Sequence, residues 1–195
     1  MNETNNQFNL ELQKQIDGTL PKGHIYQLGK PGAILRSTGF PDMPIELAAS
    51  HLADKAKTAH HPFDISEMKN LVNALQTPLA VFSYGDKTKA QNAIVELIHN
   101  GKNFVVGVHF NQKRHGMMVS DIRGLYPKDN AEWLNWIVQG KAMYIDKTKI
   151  QILIDQQRRT LAEVEYLNLD SAAKIIKNFI NPSLIHQKII PEQKF

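Results

Sequence analysis

The chain has 195 residues, 42% hydrophobic and 22% charged, a composition typical of a globular domain with a sizeable core. It contains no cysteine, which excludes disulfides, thiol catalysis and cysteine-ligated metals, and which fits a reducing compartment. The first residues lack the basic and apolar regions of a signal peptide, and the longest apolar runs are only strand length. We therefore expect a cytoplasmic protein without a membrane partner.

Short elements are predicted at the start of the chain. Residues 1–7 are polar and are expected to form a poorly ordered end. The next predicted elements are a short helix over 8–16, a short strand over 24–28 and a helical turn over 33–38.

Two helices are predicted in the segment that follows. The first spans about 45–58, because apolar residues recur there at helical spacing. The second begins at Asp64, which opens a capping box with Glu67, and it ends before Pro78.

Four strand-like runs come next, at residues 79–84, 93–99, 103–111 and 117–126. An Asn-Gly pair separates the second run from the third and is a strong hairpin signal. Sequential strands with tight turns predict an antiparallel sheet. The predicted fold class is α+β, with N-terminal helices followed by a four-stranded antiparallel sheet and additional C-terminal helices.

The C-terminal part predicts mainly helices. The predicted elements are a helix over 130–139, a strand over 142–145, and helices over 147–159 and 171–179. We expect the helices after residue 155 to be peripheral to the sheet and a tail from about 181 to be poorly ordered. The predicted division is therefore an N-terminal extension (1–23), a main domain (24–155), and a helical extension with a tail (156–195).

The third strand places a histidine opposite an apolar stripe. Phe104, Val106, Val108 and Phe110 alternate onto one face, and His109 points to the other. If helices cover the first face, His109 lies on an open face, where a side chain that titrates near neutrality can act as an acid or a base. The alternative is an ordinary surface histidine.

Basic residues are concentrated between 101 and 128. This window carries five lysines and arginines against one aspartate, which equals the whole net charge of +4. The excess suits a polyanion such as nucleic acid, and a solvated hairpin is the alternative. The chain lacks a phosphate-binding loop, a dinucleotide fingerprint and a nucleophile elbow, and its histidines lack metal-ligand spacing.

An ordered series of segments resembles the C-terminal domain of phage MuF proteins. The segments are Leu28-Gly29-Lys30-Pro31, Gly39-Phe40-Pro41-Asp42-Met43-Pro44-Ile45, Lys55-Ala56, His60-His61, Pro78-Leu79-Ala80-Val81-Phe82-Ser83, Leu125-Tyr126-Pro127-Lys128-Asp129-Asn130 and Tyr144-Ile145-Asp146-Lys147. The resemblance covers about residues 26–150. It implies a barnase–EndoU–colicin–RelE-like fold and a toxin-like, metal-independent ribonuclease from a phage or mobile element that needs no cofactor.

Candidate site residues combine this resemblance with the residue pattern. The candidate catalytic residues are His60, His61, Lys55, His109 and Tyr126, and the candidate substrate-binding residues are Ser83, Lys87, Arg114 and Arg123. Gly124 stands where the family's isoleucine-x-serine-x-tyrosine run has serine, a departure that bears on activity.

Three functions are carried forward from these observations. The first is RNA cleavage, in which a base activates the ribose 2′-hydroxyl and a cation stabilises the phosphorane. The second is a non-catalytic module that binds nucleic acid or protein. The third is a structural tail in a phage or conjugative-element assembly. The expected partners are RNA, and an immunity protein or a longer parent polypeptide.

Overall fold

A computed structural model describes residues 2–157 and 163–181 and shows a mixed α+β fold. Its seven strands are β1 (Ile25–Gln27), β2 (Ile45–Ala48), β3 (Ala80–Ser83), β4 (Ala90–His99), β5 (Lys102–Arg114), β6 (Met117–Lys128) and β7 (Ala142–Ile145). Its α-helices within those residues are α1 (Glu3–Ile16), α2 (Ala33–Ser37), α3 (Ala49–Ala56), α4 (Leu71–Gln76), α5 (Asn130–Val138), α6 (Lys147–Gln157) and α7 (Glu163–Asn178), and a 3-10 helix spans Ile65–Met68.

All seven strands form one sheet in the order β1-β2-β6-β5-β4-β3-β7. The predicted antiparallel meander is its centre, where β3, β4, β5 and β6 pair in sequence. The predicted four-stranded sheet was too small, because β7 adds to β3 and the β1–β2 pair adds to β6. The sheet is mixed rather than antiparallel, because β2 runs parallel to β6.

The predicted helix over 45–58 is wrong in its first turn. Ile45–Ala48 is β2, and α3 begins only at Ala49. β2 has β1 on one side and β6 on the other, so its backbone hydrogen bonds are made by strands distant in sequence. Ile45 and Leu47 enter the core from alternate positions, and sheet pairing overrides the helical spacing.

The second predicted helix is also divided. Asp64 caps its start as expected, accepting a 2.8 Å hydrogen bond from the Ser66 amide. Hydrogen bonds from the Ser66 side chain and then from that amide lower the pKa of Asp64. The chain then forms only a 3-10 helix before Asn70 adopts a left-handed φ of 68° and α4 starts. Asn5 and Asn9 of α1 hold Asn70 there through hydrogen bonds of 3.0 and 2.9 Å, which explains the interruption.

Two apolar layers cover the sheet. Helices α1, α3 and α4 pack on the face of Phe104, Val106 and Val108, as predicted for that stripe. Helices α5, α6 and α7 form a second core with Val105 on the other face, so that face is open at most in part. The helices after residue 155 were expected to be peripheral to the sheet, and α7 packs chiefly on α5 and α6, where Leu169, Ala172 and Ile176 are buried.

The N-terminal residues are ordered, contrary to expectation. Asn2 caps α1 at the amide of Asn5, and Phe8 and Leu12 of that helix are buried in the first core. The boundaries predicted at 23 and 155 stay predictions. The predicted tail from 181 lies almost wholly outside the described residues.

Asn130 links α5 to the β4–β5 hairpin. Its Oδ1 accepts from the Asn103 amide at 3.1 Å and from Trp133 Nε1 at 2.8 Å, while its Nδ2 donates to the Gly101 carbonyl at 2.9 Å. These three bonds use both acceptor positions and one donor of a buried amide, and they fix the end of the sheet against the second layer.

Among the residues described, no helix is long and apolar enough to cross a bilayer.

Candidate functional site

The face of the sheet that carries His109, called here the outer face, holds three rows of cross-strand partners. Partners in a ladder point to the same side of a sheet, so each row can be read from the register. The rows are Gln27–Glu46–Asp121–His109, then Gly124–Gly107–Asn92, then Tyr126–Val105–Ile94. Val105 and Ile94 lie under the second core, so polar chemistry on this face is confined to the other positions.

The first row contains two neighbouring carboxylates bridged by Arg114. Glu46 and Asp121 are direct partners across β2 and β6, and their side chains are only 7% and 12% exposed. Arg114 lies between them, donating from Nη1 to Glu46 and from Nη2 to Asp121, each at 3.0 Å. Gln27 completes the set by donating to the second Glu46 oxygen at 3.0 Å. Arg114 therefore offsets much of the repulsion between two like charges that the register brings together.

Arg123 extends this network towards solvent. It occupies a bulge of β6, where the pairing with β5 shifts, and its side chain is 51% exposed. Its Nε donates to Asp121 at 3.3 Å and one terminal nitrogen donates to Gln112 at 2.6 Å. Because the guanidinium is half exposed, a phosphate can reach it without breaking the buried Arg114 bridge.

His109 stands at the end of the first row and is partly buried. Burial lowers its pKa, Arg123 lowers the pKa further, and Asp121 opposes both effects. The imidazole is therefore neutral at pH 7, which is the protonation state that a general base requires.

Two glycines face each other in the second row. A Cβ built on Gly124 would lie 3.2 Å from the Gly107 Cα and amide nitrogen, and a Cβ on Gly107 would lie 3.0 Å from the Asn92 Oδ1. Both distances are shorter than ordinary contacts, so the close approach of β5 and β6 requires residues without side chains here. The serine expected from the resemblance at Gly124 would press on the neighbouring backbone.

Aromatic side chains lie at two levels of the outer face, with His61 and Tyr126 at its third row and Tyr84 just after β3, near the level of the first row. His61 stacks on Tyr126, with ring centroids 5.5 Å apart and planes 29° from parallel. Burial raises the pKa of the Tyr126 phenol, and Tyr84 and Glu132 raise it further. Tyr84 is 59% exposed.

Lys128 lies between Trp136 and Glu132 of α5. Its ammonium lies 5.4 Å from the centre of the Trp136 ring and bonds to Glu132 four residues along. The Lys128 hydrogen bond lowers the pKa of Glu132, with smaller contributions from Lys102 and His61. The cationic side chains therefore lie beside the aromatic rings.

Helix α3 brings the loop with His61 to this end of the sheet. β2 pairs with β6 only up to Asp121, and beyond that point His51 of α3 hydrogen-bonds the Arg123 carbonyl at 2.9 Å. Lys55 follows His51 by four residues, so both side chains lie on the same face of α3. The chain then turns, and His61 reaches Tyr126.

The predicted site residues are thus divided by the structure. Arg114, Arg123, His109, Tyr126 and His61 lie on the outer face. Lys55 lies at its β6 edge and is partly buried, and His60 is exposed in the turn.

Ser83 and Lys87 are placed elsewhere. Ser83 alternates away from Phe82, and its hydroxyl donates to the Lys141 carbonyl at 3.5 Å. Lys87 lines a separate cavity of about 530 Å³ with Thr38 and Gln91. These two residues do not join the other candidates.

Most of the positive charge between residues 101 and 128 is paired with carboxylates of the chain itself. Arg114, Arg123 and Lys128 bind carboxylates, whereas Lys102 and Lys113 are exposed. Within the part of the chain that the structure describes, no three histidine, aspartate or glutamate side chains are grouped as metal ligands.

Sequence reasoning missed Glu46, Asn92 and Trp136 as parts of this face. Glu46 was assigned to a helix, and Asn92 and Trp136 were not among the candidate residues. A usable signal was the presence of a glycine in each of two adjacent strands, which marks a bulge or a close backbone approach.

A family model described as the phage MuF C-terminal domain matches residues 52–152, just over half of the chain. The chain belongs to this family. In this MuF C-terminal domain, the match starts in α3 and ends in α6, so it contains His61, His109, Arg123 and Tyr126. Glu46 and Gln27 precede it. No curated protein and no solved structure gives a significant match.

Proposed function

We propose that this MuF C-terminal domain is a metal-independent endoribonuclease whose reacting phosphate lies between His109 and Arg123. The observation that carries the proposal is the neutral imidazole of His109 held beside a half-exposed guanidinium on the polar end of the outer face. A base and a phosphate-binding cation side by side are the two groups that attack by a ribose 2′-hydroxyl needs.

In the proposed reaction His109 removes the proton from the 2′-hydroxyl, and the resulting oxyanion attacks the adjacent phosphorus. The bond from phosphorus to the 5′-oxygen breaks, a 2′,3′-cyclic phosphate forms, and the leaving oxygen takes a proton from water. Arg123 stabilises the charge that builds on the phosphorane oxygens. The nucleophile belongs to the substrate, so no metal has to supply one.

His61 is unsuited to serve as the acid for the same phosphate. It stacks on Tyr126, which pairs with Val105, four residues before His109 on β5. Four residues of strand span about 13 Å, and an acid and a base must each lie within hydrogen-bond reach of the reacting group. We therefore assign His61 and Tyr126 to substrate contact, Lys55 to the edge of the site, and Arg114 to support of Asp121.

A second candidate function is RNA binding without cleavage. It is favoured by the lack, among the described residues, of a proton donor within reach of the phosphate that His109 would serve, since His61 stacks on Tyr126 about 13 Å away along the strands. Binding that weakens steeply with salt while the RNA stays intact would identify this function.

The deciding experiment is cleavage of total RNA and tRNA in EDTA by the wild-type protein and by His109→Gln and Arg123→Gln variants. His115→Asn is the control, since His115 is exposed at the hairpin tip and asparagine tolerates its positive φ of 47°. We expect cleavage by the wild type and the control and its loss in both site variants. Intact RNA at high wild-type concentration would refute the proposal, and equal cleavage by all four proteins would place the activity elsewhere.

The same assay on Lys55→Ala, His60→Ala and His61→Ala tests the remaining candidates. We expect His60→Ala to cleave like the wild type, because His60 is exposed in the turn and it is His61 that stacks on Tyr126. Loss of cleavage in that variant alone would move the site to the turn after α3.

A further inference from the structure

Asn92 is a buried residue of the outer face whose side-chain amide has no partner. It is 8% exposed, and within the described residues 2–157 and 163–181 its carboxamide makes no hydrogen bond. The amide is not sealed off, because the fully enclosed side-chain atoms that lack a partner in the described ranges belong to other residues. The amides of Asn103 and Asn130, which are also buried, are hydrogen-bonded. Since buried polar groups are seldom left unpaired, Asn92 is suited to a partner from outside the chain.

The neighbours of Asn92 leave one direction open. It lies between Ala90 and Ile94 on its own strand face and pairs with Phe82 of β3, and all three of these neighbours are apolar and buried. On its other side it pairs with Gly107, which has no side chain. The Asn92 Oδ1 would lie 3.0 Å from a Cβ on Gly107, so the carboxamide already leans over that glycine. The open approach to the amide is therefore above the glycine pair.

His109 borders the same space. It follows Gly107 by two residues on β5, and Gly107 is the partner of Asn92, so His109 and Asn92 are diagonal neighbours on one face. The Cβ atoms of diagonal neighbours lie about 7–8 Å apart. At that separation an imidazole and a carboxamide can both hydrogen-bond one atom placed between them, because each such bond spans about 3 Å.

Arg123 lies on the opposite side of His109 from Asn92. β5 carries His109 and is flanked by β6, which carries Arg123, and by β4, which carries Asn92. In the proposed reaction the phosphate lies between His109 and Arg123, which leaves the β4 side to the ribose. His109 takes the proton of the 2′-hydroxyl, so the atom that His109 and Asn92 share is the 2′-oxygen.

We infer that Asn92 is a catalytic residue whose Nδ2 donates a hydrogen bond to the ribose 2′-oxygen while that hydroxyl donates to His109. This inference rests on the proposed ribonuclease function, to whose site it adds a residue. The bond directs the hydroxyl proton towards the imidazole, and it distinguishes a ribonucleotide from a deoxyribonucleotide, which has no 2′-oxygen. The proton moves from the hydroxyl to His109, and Asn92 keeps both of its own.

The test compares the 3′-phosphates of adenosine and uridine with their 2′-deoxy forms, which differ from them only in the 2′-hydroxyl. None of the four has a 5′-linked nucleotide to release, so binding is measured without cleavage. Dissociation constants are determined by NMR titration of the wild type, Asn92→Ala and Asn73→Ala. Asn73 is the matched control, an exposed asparagine of α4, which packs on the opposite face of the sheet.

We expect the wild type and Asn73→Ala to bind the ribonucleotides about three- to tenfold more tightly than the deoxy forms, the usual effect of one hydrogen bond. Asn92→Ala should bind both forms equally. It should also unfold at the wild-type Tm, because the amide it removes has no partner within the described chain. A wild type without preference for the ribonucleotides, or a preference that Asn92→Ala retains, would overturn the inference.

A second variant tests the placement of Asn92 without any ligand. Asn92→Asp keeps the shape of the side chain and puts a carboxylate diagonal to His109, so the pKa of His109 measured by NMR should rise above its wild-type value. Asn73→Asp should leave that pKa unchanged. A His109 pKa that does not respond to Asn92→Asp would show that the two side chains do not share one space, against the inference.

Cleavage of RNA measured in parallel separates this inference from the function on which it rests. Cleavage by the wild type, together with a ribose preference that Asn92→Ala retains, would refute the role of Asn92 and leave the ribonuclease proposal intact. A ribose preference that disappears in Asn92→Ala, together with RNA that stays intact, would support the contact with the 2′-oxygen and refute the ribonuclease.

Discussion

Replacing Arg114 by alanine should strongly destabilise the protein. The change leaves Glu46 and Asp121 adjacent across β2 and β6, 7% and 12% exposed, without the cation between them. Removing one partner of a buried ion pair costs about 3–5 kcal/mol of the free energy of unfolding. Arg114 is itself 23% exposed, so solvent screens part of the loss and we expect a value near the lower limit, about 3 kcal/mol.

Thermal and urea unfolding followed by circular dichroism measure this loss. For a chain of this size, about 3 kcal/mol corresponds to a fall in Tm of about 6–12 °C. Arg123→Ala is the control, since its side chain is 51% exposed and its ion pair should contribute less than about 1 kcal/mol.

The reasoning also predicts a rescue and a pH dependence. Glu46→Gln added to Arg114→Ala should recover much of the stability, because it removes one of the two repelling charges. In the single variant one carboxyl takes up a proton more readily when folded than when unfolded. The difference in free energy of unfolding between the wild type and Arg114→Ala should therefore be largest at neutral pH and should decrease as the pH falls. A Tm for Arg114→Ala equal to that of the control, or a lack of rescue, would refute the reasoning.

Three further predictions concern His109, Asn130 and Gly124. The pKa of His109, measured by NMR, should lie below the ordinary histidine value, and Arg123→Gln should raise it because that change removes a nearby positive charge. Burial of neutral His109 contributes to the free energy of unfolding above the pKa of the unfolded chain, and this contribution is lost as the pH falls towards the pKa of the folded protein. Asn130→Ala should lower the free energy of unfolding by about 2–4 kcal/mol, since two buried N–H groups lose their acceptor. Asn135→Ala on the same helix should have a small effect, and equal Tm values for the two variants would contradict the prediction. Gly124→Ser should cost about 1–3 kcal/mol in urea unfolding, because its Cβ meets the backbone of the facing strand, and a variant as stable as the wild type would show that β5 can move away.

Local patterns determined the central sheet and the family of this protein. Alternation of apolar residues predicted the buried stripe of β5, and the Asn-Gly turn predicted the β4–β5 hairpin, since both signals depend only on neighbouring residues. The order of short segments, together with the predicted helices and strands, carried the resemblance that the family match confirms. His109 was placed on the correct face for the same reason, because side chains alternate along any strand.

Tertiary structure alone decided what surrounds His109. β2 is a strand because β1 and β6 flank it, and only this parallel pairing brings Glu46 beside Asp121. Arg114 and Arg123 count as basic residues in the sequence, yet their charge is largely neutralised by carboxylates that the fold brings to them. The choice between two adjacent histidines depended on how the chain turns after α3, which brings His61 onto Tyr126. Such contacts join residues distant in the sequence, so no local pattern records them, and the same fold separates Ser83 and Lys87 from the outer face.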